Sequence, residues 1–485
     1  MRNNFLQVIN ILSLLLVFNG AFMLLCLPIS IIYNDGDWQA FLASSLISAA
    51  IGGGIWFLTR NAKREELRKR DGYLIVALGW IIMSLSGSLP YILSNAIPFY
   101  TDAFFETASG YTTTGASILN NIEELPRGIL FWRSLTQWIG GMGFIVLAVA
   151  ILPLLGIGGM QLFMAESPGI APDKIQPRIR ATAGRLWLVY IILTFSEMVL
   201  LMFGGLDFYE AINHSLTTMA TGGFSTKQDS IAYYDSAYVQ YIIIIFMFLA
   251  GTNFTLTYFA LHGKFKRYWN NDEFRFYFFA ILGATLITAL TLFAYHGFSA
   301  EKSFRDSLFQ VISIVTTTGY VTADYTSWTP FLTVLFFVMM FIGGSAGSTA
   351  GGVKIIRHLI LLKNMVLEFK RILHPSAIIP VRFNKMAVGQ DVTFNVLAFI
   401  MTYILIFVIS SIIMSAMGLD FLTALGAVAT SLGNIGPGIG DVGPVDNFAN
   451  IPMYGKWFLC FLMIIGRLEL FTVLIIFTPY FWRSK

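Results

Sequence analysis

The sequence predicts an all-α membrane protein made of four like-oriented repeats, and three observations carry that prediction. Hydrophobic residues make up 56% of the 485 and charged residues only 12%, where a soluble domain carries about 25% charged residues. The apolar stretches accommodate roughly ten spans at about 20 residues per membrane helix. A short Thr/Gly turn also recurs four times, each time between two spans: Tyr111-Thr112-Thr113-Thr114-Gly115-Ala116-Ser117, Met219-Ala220-Thr221-Gly222-Gly223-Phe224-Ser225, Val315-Thr316-Thr317-Thr318-Gly319-Tyr320 and Gly433-Asn434-Ile435-Gly436-Pro437-Gly438. Counted on Gly115, Gly222, Gly319 and Gly436, the turns lie 107, 97 and 117 residues apart (222−115, 319−222, 436−319). That period is too long for a solenoid and suits a unit of two spans with a short segment between them.

Residues 1–71 read as an N-terminal two-helix hairpin with spans at 9–31 and 39–59. The first apolar run is too long for a signal peptide, lacks a small-residue cleavage site and is followed at once by a second span. The acidic link Tyr33-Asn34-Asp35-Gly36-Asp37 joins them, and the basic run Arg60, Lys63, Arg64, Arg68, Lys69 and Arg70 follows. Positive charge stays in the cytoplasm, which puts this basic link and both termini inside.

The first pore repeat, 72–175, has a span at 73–95, an amphipathic segment at 101–111, the first turn, and a span at 129–156. The second, 176–270, has spans at 184–204 and 238–261; the third, 271–385, at 274–297 and 331–361; the fourth, 386–485, at 393–417 and 455–480. The links between repeats are basic: Lys174, Arg178, Arg180 and Arg185, then Lys264, Lys266, Arg267 and Arg275, then Lys363, Lys370, Arg371, Arg382 and Lys385. Each basic link follows an even number of spans, so all lie on one side and all four turns lie on the other. The repeats are therefore parallel, related by an axis along the membrane normal, and four of them close a pseudo-fourfold pore.

The segments before the turns, 102–111, 208–217, 304–314 and 421–429, are too short to span and fit re-entrant half-helices. Irregular backbone at that depth survives only inside protein or beside water, which implies a wet central path. A dehydrated cation needs several oxygens at fixed distance, and backbone carbonyls supply them without a trapping counter-charge. Carbonyls that point at an axis require unusual dihedrals, which glycine reaches without steric cost. The expected cation ligands are Thr113, Thr114 and Gly115; Ala220, Thr221 and Gly222; Thr317, Thr318 and Gly319; and Asn434, Ile435 and Gly436. Each half-helix aims its partly negative C-terminus at the ion.

With these four turns, two spans per repeat and two extra N-terminal spans, the chain resembles the Trk/Ktr/HKT superfamily of potassium transporters, most closely its bacterial TrkH-type members. The resemblance covers almost the whole chain and implies a potassium-selective conducting subunit of an uptake system in the bacterial inner membrane. In that family four filter glycines favour potassium, and serine at the first goes with sodium transport. Potassium is then the permeant ligand. A homodimer and a cytosolic ring of TrkA-type nucleotide-binding regulatory subunits are the implied partners. The basic links at 157–185 and 354–385 are plausible docking surfaces for that ring or for anionic lipid. The fourth turn, Asn434-Ile435-Gly436-Pro437, lacks threonine, and the second has Ala220 where two others have threonine, so the filter is only pseudo-fourfold.

Two features break the symmetry. Gly343-Gly344-Ser345-Ala346-Gly347-Ser348-Thr349-Ala350-Gly351-Gly352 places five glycines in ten residues of one span, each costing roughly 1 kcal/mol against alanine in a helix. The span should break there. Close helix packing through small residues is one reading; a mobile gate under the filter, with Lys354 behind it, is the one the resemblance supports. Arg467 lies deep in the last span, where a charge faces water or a partner. It either pairs with a carboxylate such as Glu197 or stands beside the pore and repels cations, and the family carries an arginine at the matching place.

Glu106, Asp102, Glu210 and Asp306 sit near the outer mouth, where they concentrate cations or are simply solvated. A symporter coupled to sodium or protons would need a carboxylate in the path, Glu469 or Glu197. Cys26 and Cys460 show no ligand spacing, the five histidines none either, and the Gly-rich run lacks the phosphate-binding order of a P-loop. No enzyme chemistry, organic cofactor or nucleic-acid partner is expected.

Overall fold

The structure is a computed structural model, and it describes residues 2–60, 68–141, 143 and 179–483. Among the described residues its regular structure is helical apart from one hairpin of two-residue strands, β1 (Arg382–Phe383) against β2 (Met386–Ala387). The N-terminal hairpin comprises α1 (Arg2–Met23), running through a 3-10 turn into α2 (Leu27–Tyr33), and α3 (Trp38–Thr59). The close approach of α1 and α3 rests on small residues: a Cβ at Gly20 would lie 2.9 Å from the Ser45 carbonyl.

Four units follow. In the first, α4 (Lys69–Gly87) and the short α5 (Leu89–Leu93) precede the half-helix α6 (Tyr100–Tyr111) and then α7 (Arg127–Gly141). In the second, α8 (Ile179–Phe203) precedes the half-helix α9 (Phe208–Met219), then α10 (Ala237–Ala250), α11 (Phe254–Leu261) and the short α12 (Lys266–Trp269). The third has α13 (Asp272–His296), the half-helix α14 (Ala300–Val315), α15 (Pro330–Met339) and α16 (Ile355–Leu373). The fourth has α17 (Gln390–Ala416), the half-helix α18 (Phe421–Gly433), α19 (Met453–Arg467), α20 (Phe471–Leu474) and α21 (Pro479–Trp482).

Six described helices are long and apolar enough to cross a membrane, and eight if each of two bent pairs is one span. The chain is thus a multi-pass membrane protein. Most of the second half of the expected span at 129–156 lies outside the described residues, as do most of the basic link at 157–185 and Lys63 and Arg64. The expected break in the third unit is present: α15 ends at Met339, and no helix resumes before Ile355.

Two further breaks were not expected. The span at 238–261 turns by 111° between Ala250 and Phe254, and the span at 455–480 turns by 111° between Arg467 and Phe471. Asn253 explains the first, because its side chain accepts a hydrogen bond from Thr255 N and caps a new helix. At the second, Glu469 and Leu470 both adopt positive φ (57° and 51°), which no continuing helix allows.

The units pack in cyclic order. Helix α7 of the first unit lies against α9 of the second, α10 of the second against α14 of the third, α16 of the third against α17 of the fourth, and α19 of the fourth against α6 of the first. Beyond their exposed first turns, the half-helices are buried within this ring. Three begin at side-chain N-caps: Asp207 accepts from Glu210 N, Ser299 from Lys302 N and Asp420 from Leu422 N. Hydrogen bonds from the Thr423 side chain and backbone hold the exposed Asp420 carboxyl below the usual carboxylate range.

Candidate functional site

Each half-helix ends in the same backbone device, a Schellman motif with a non-glycine residue in the left-handed position. Thr114 N donates to Ser109 O at 2.9 Å, Gly222 N to Thr217 O at 2.9 Å, Thr318 N to Ser313 O at 2.8 Å and Ile435 N to Thr430 O at 3.0 Å. The residue before each is left-handed: Thr113 and Thr221 with φ 53°, Thr317 with φ 57° and Asn434 with φ 54°. Asparagine tolerates that region, whereas threonine pays for its branched Cβ. Two residues after it comes a glycine with positive φ: Gly115 (79°), Gly223 (76°), Gly319 (80°) and Gly436 (101°).

This pattern corrects the alignment of the second turn. Gly223, not Gly222, occupies the position of Gly115, Gly319 and Gly436. Gly222 corresponds to Thr114, Thr318 and Ile435, and Ala220 corresponds to Thr112, Thr316 and Gly433. Two adjacent glycines make the sequence ambiguous there; the column Thr113, Thr221, Thr317 and Asn434 resolves it.

The packing closes a ring in the same register. A Cβ on Gly115 would overlap the carbonyl oxygen of Gly222, one on Gly223 that of Thr318, and one on Gly319 that of Ile435; one on Gly436 would lie 2.9 Å from that of Thr114. Each turn glycine therefore abuts the neighbouring unit's carbonyl, and the fourth returns to the first. All four of these glycines line one cavity, together with Arg133 and Lys227.

Side chains brace the ring from behind. Thr112 Oγ1 pairs with Thr114 Oγ1 at 2.7 Å, and Thr316 Oγ1 with Thr318 Oγ1 at 2.8 Å. Asn434 Nδ2 donates to Thr114 Oγ1 and to the Met463 carbonyl, both at 2.9 Å. In the second unit the brace is Gln137, whose Nε2 donates to Gly222 O at 2.7 Å while its Oε1 accepts from Phe224 N at 3.0 Å.

Three of the four acids near the mouth, Glu106, Asp102 and Glu210, are paired, and the fourth, Asp306, is buried. Glu106 is fully buried and pairs with Arg133 at 2.8 Å, and it accepts from Ser117 Oγ and Ile118 N. Arg133 also reaches Ser225 O at 3.0 Å and covers the Phe224 ring, so it links the first two units. Asp102 pairs with Lys456 at 2.6 Å, and Glu210 with Lys227 at 3.3 Å. His214 is held locally, by Glu210 O and Ser225 Oγ. Replacing Arg133 by methionine leaves the Glu106 carboxylate buried without its cation. We expect a loss of about 3–5 kcal/mol, read as a lowered melting midpoint of the detergent-solubilised protein. Replacing Glu106 by leucine in the same chain should restore most of it, since removing both partners relieves the orphaned charge.

The Gly-rich segment lies directly against the ring. Gly351 N donates to Thr317 Oγ1 at 2.6 Å, and Thr349 Oγ1 donates to Met219 O at 3.0 Å. A Cβ on Gly351 would lie 2.7 Å from the Asn434 Cβ, so the segment also touches the fourth turn. Gly343 N donates to Val353 O at 2.8 Å and Ser345 N to Gly251 O at 2.9 Å. Ala346 N donates to Glu273 at 2.7 Å, and Phe254 N donates to Gly347 O at 3.0 Å. Ser348 Oγ donates to Ser345 O at 2.6 Å, and Ile355 N donates to Gly344 O at 3.1 Å. The Lys354 ammonium donates to Ala350 O, and Gly352 takes a positive φ of 63°.

Arg467, the last residue of α19, donates from Nη1 to Thr349 O at 2.7 Å and from Nη2 to Gly140 O and Gly141 O at 2.6 Å each. Its guanidinium thus clamps the Gly-rich segment to the end of α7, instead of the carboxylate pair with Glu197 weighed from sequence. Glu469 pairs with Arg357 at 2.5 Å. Arg133 and Gln137 were not singled out from sequence. Their signal was available: two polar residues at i and i+4 on one face of a membrane helix are costly unless used.

Residues 37–484 match the family model of TrkH, described as a cation transport protein. The chain is 42% identical over 485 residues to "Trk system potassium uptake protein TrkH" of Salmonella typhimurium, covering 99% of this chain and 100% of that one. It is 35% identical to "Trk system potassium uptake protein TrkG" of Escherichia coli over 95% of each chain. The crystal structure of the potassium transporter TrkH from Vibrio parahaemolyticus superposes with a TM-score of 0.89 at 40% identity, covering 99% of this chain and 100% of that one. With its ring of four turn glycines, its full-length coverage and this degree of identity, the chain belongs to the TrkH family of cation transport proteins.

Proposed function

We propose that this chain is the potassium-conducting subunit of a potassium uptake system, with the four turns as its selectivity filter. The closed ring of glycine–carbonyl contacts carries the reading. In this reading eight backbone carbonyls, from Thr113, Thr114, Thr221, Gly222, Thr317, Thr318, Asn434 and Ile435, surround the axis, and the contacts of four of them, Thr114, Gly222, Thr318 and Ile435, with the turn glycines support it. Oxygens held that rigidly replace the hydration shell of one size of cation better than another. The names of the full-length relatives point to potassium as that cation.

The segment from Gly343 to Gly352 is the gate, and Arg467 with Lys354 holds it shut beneath the filter. Its hydrogen bonds run to loops, a helix end and the filter itself, so it can leave without unwinding a helix. The chain works as a homodimer in the bacterial inner membrane, with both termini cytoplasmic. A cytosolic TrkA-type ring that binds nucleotides pulls on the gate from below, and basic residues at 354–385 face that ring or anionic lipid.

Purified protein in liposomes should pass potassium and rubidium and exclude sodium; equal sodium flux would overturn the filter. Deleting Gly344–Gly351 should raise potassium flux about tenfold, the change that removing roughly 1.4 kcal/mol of closed-state bonding produces. Unchanged flux through a correctly assembled deletion variant would remove the gate from this segment.

A further inference from the structure

We infer that Gln137 is a positioning residue for selectivity: its amide sets the second filter strand and is the reason that strand carries a glycine at 222. The inference rests on the filter reading above. Gly222 needs no glycine for its own backbone, because its φ is not in the left-handed range, unlike that of Gly223 at 76°. A Cβ at 222 would instead overlap the Gln137 carboxamide. The Gln137 side chain fills the space that the side chains of Thr114, Thr318 and Ile435 fill in the other units.

It also replaces their function. Repeats one and three clasp the back of the filter strand with a threonine pair, Thr112–Thr114 and Thr316–Thr318. The second unit has Ala220 and Gly222 at those places and cannot form one. Gln137 brackets the strand with two hydrogen bonds, to Gly222 O and from Phe224 N, on either side of Gly223. Both partners are fully buried, and Gln137 is itself 0% exposed. A side-chain amide fixed at both ends has little freedom to relax.

The contact has a chemical consequence that the threonine clasps lack. The N–H of Gln137 takes one lone pair of the Gly222 carbonyl, leaving the other for a cation. That carbonyl also abuts Gly115 of the first unit. Gln137 therefore sets both the direction and the ligand strength of one of the eight carbonyls at the seam between units one and two.

The test is the potassium-to-sodium permeability ratio of purified protein in lipid bilayers. Gln137→Met keeps the length and volume but neither hydrogen bond, and the ratio should fall about tenfold, the equivalent of one net hydrogen bond. Gly222→Ala drives a methyl into the carboxamide and should lower the ratio as well. The triple variant Ala220→Thr, Gly222→Thr, Gln137→Ala rebuilds the threonine clasp and should recover the ratio that Gln137→Ala loses. A wild-type ratio in Gln137→Met overturns the inference, and so does a triple variant no more selective than Gln137→Ala alone. Should Gln137→Met fail to assemble, Gly222→Ala decides, an unchanged ratio there being the overturning result. Gly115→Ser in the same bilayers keeps the two levels apart: if it leaves the ratio unchanged, the filter reading itself fails.

Discussion

Replacing Arg467 by alanine is expected to raise potassium flux at least tenfold in the absence of any regulatory partner. Three carbonyl oxygens, Thr349 O, Gly140 O and Gly141 O, accept from one guanidinium. Hydrogen bonds to a charged group are worth about 1.5–3 kcal/mol each, and each 1.4 kcal/mol removed from the closed state moves an open–closed balance about tenfold. Under the proposed path beneath the filter, the same substitution also removes a positive charge beside the cation, and that acts in the same direction. Arg467→Lys should fall between the two. It keeps the charge, but an ammonium is a point donor that cannot bridge three carbonyls from two elements as a planar fork does. Rubidium uptake into potassium-loaded liposomes measures this directly. Alanine and wild-type proteins with equal uptake, at equal assembly, would dismiss the clamp as a gate element.

Most of the fold was legible because a membrane imposes few solutions. Apolar length marked the spans, and four turns at matching places marked the repeat. What escaped was local competition with those rules. Asn253 starts a new helix by capping it, and the short Gly251-Thr252-Asn253 interruption of an apolar run gives little warning of a 111° turn. The register of the second turn escaped because Gly222 and Gly223 both satisfy a search for a turn glycine; only the dihedrals separate the one that needs φ > 0 from the one that makes room for Gln137. The break over residues 343–352 was legible because five glycines in ten residues are incompatible with a stable helix. The partners of Arg467 were not, because carbonyl acceptors leave no trace in a list of side chains. Glu106 looked like a mouth charge for a similar reason: its cation, Arg133, is 27 residues away in sequence and meets it only after α6 and α7 pack.

Gly115→Ser is expected to lower the potassium-to-sodium permeability ratio by at least an order of magnitude, and chiefly by admitting sodium. Gly115 has φ +79°, where any residue with a Cβ is strained by about 1–2 kcal/mol. Its added atom would also overlap the Gly222 carbonyl. The serine cannot rotate away from that oxygen, because the overlap is at Cβ and not at Oγ. Either the first turn flattens or the second unit's carbonyl swings aside, and in both cases one oxygen leaves the ring. A ring that has lost an oxygen discriminates less between a large cation and a small one that keeps its water. The ring also predicts where the same lesion should recur. Gly223→Ser should reproduce the Gly115→Ser phenotype through the Thr318 carbonyl, and Gly319→Ser through that of Ile435. Gly436→Ser should be the mildest of the four, since its Cβ would stand 2.9 Å from the Thr114 carbonyl instead of overlapping it. Ion-replacement recordings on the four serine variants would test that order, and a Gly223→Ser variant as selective as the wild type would break the ring's register.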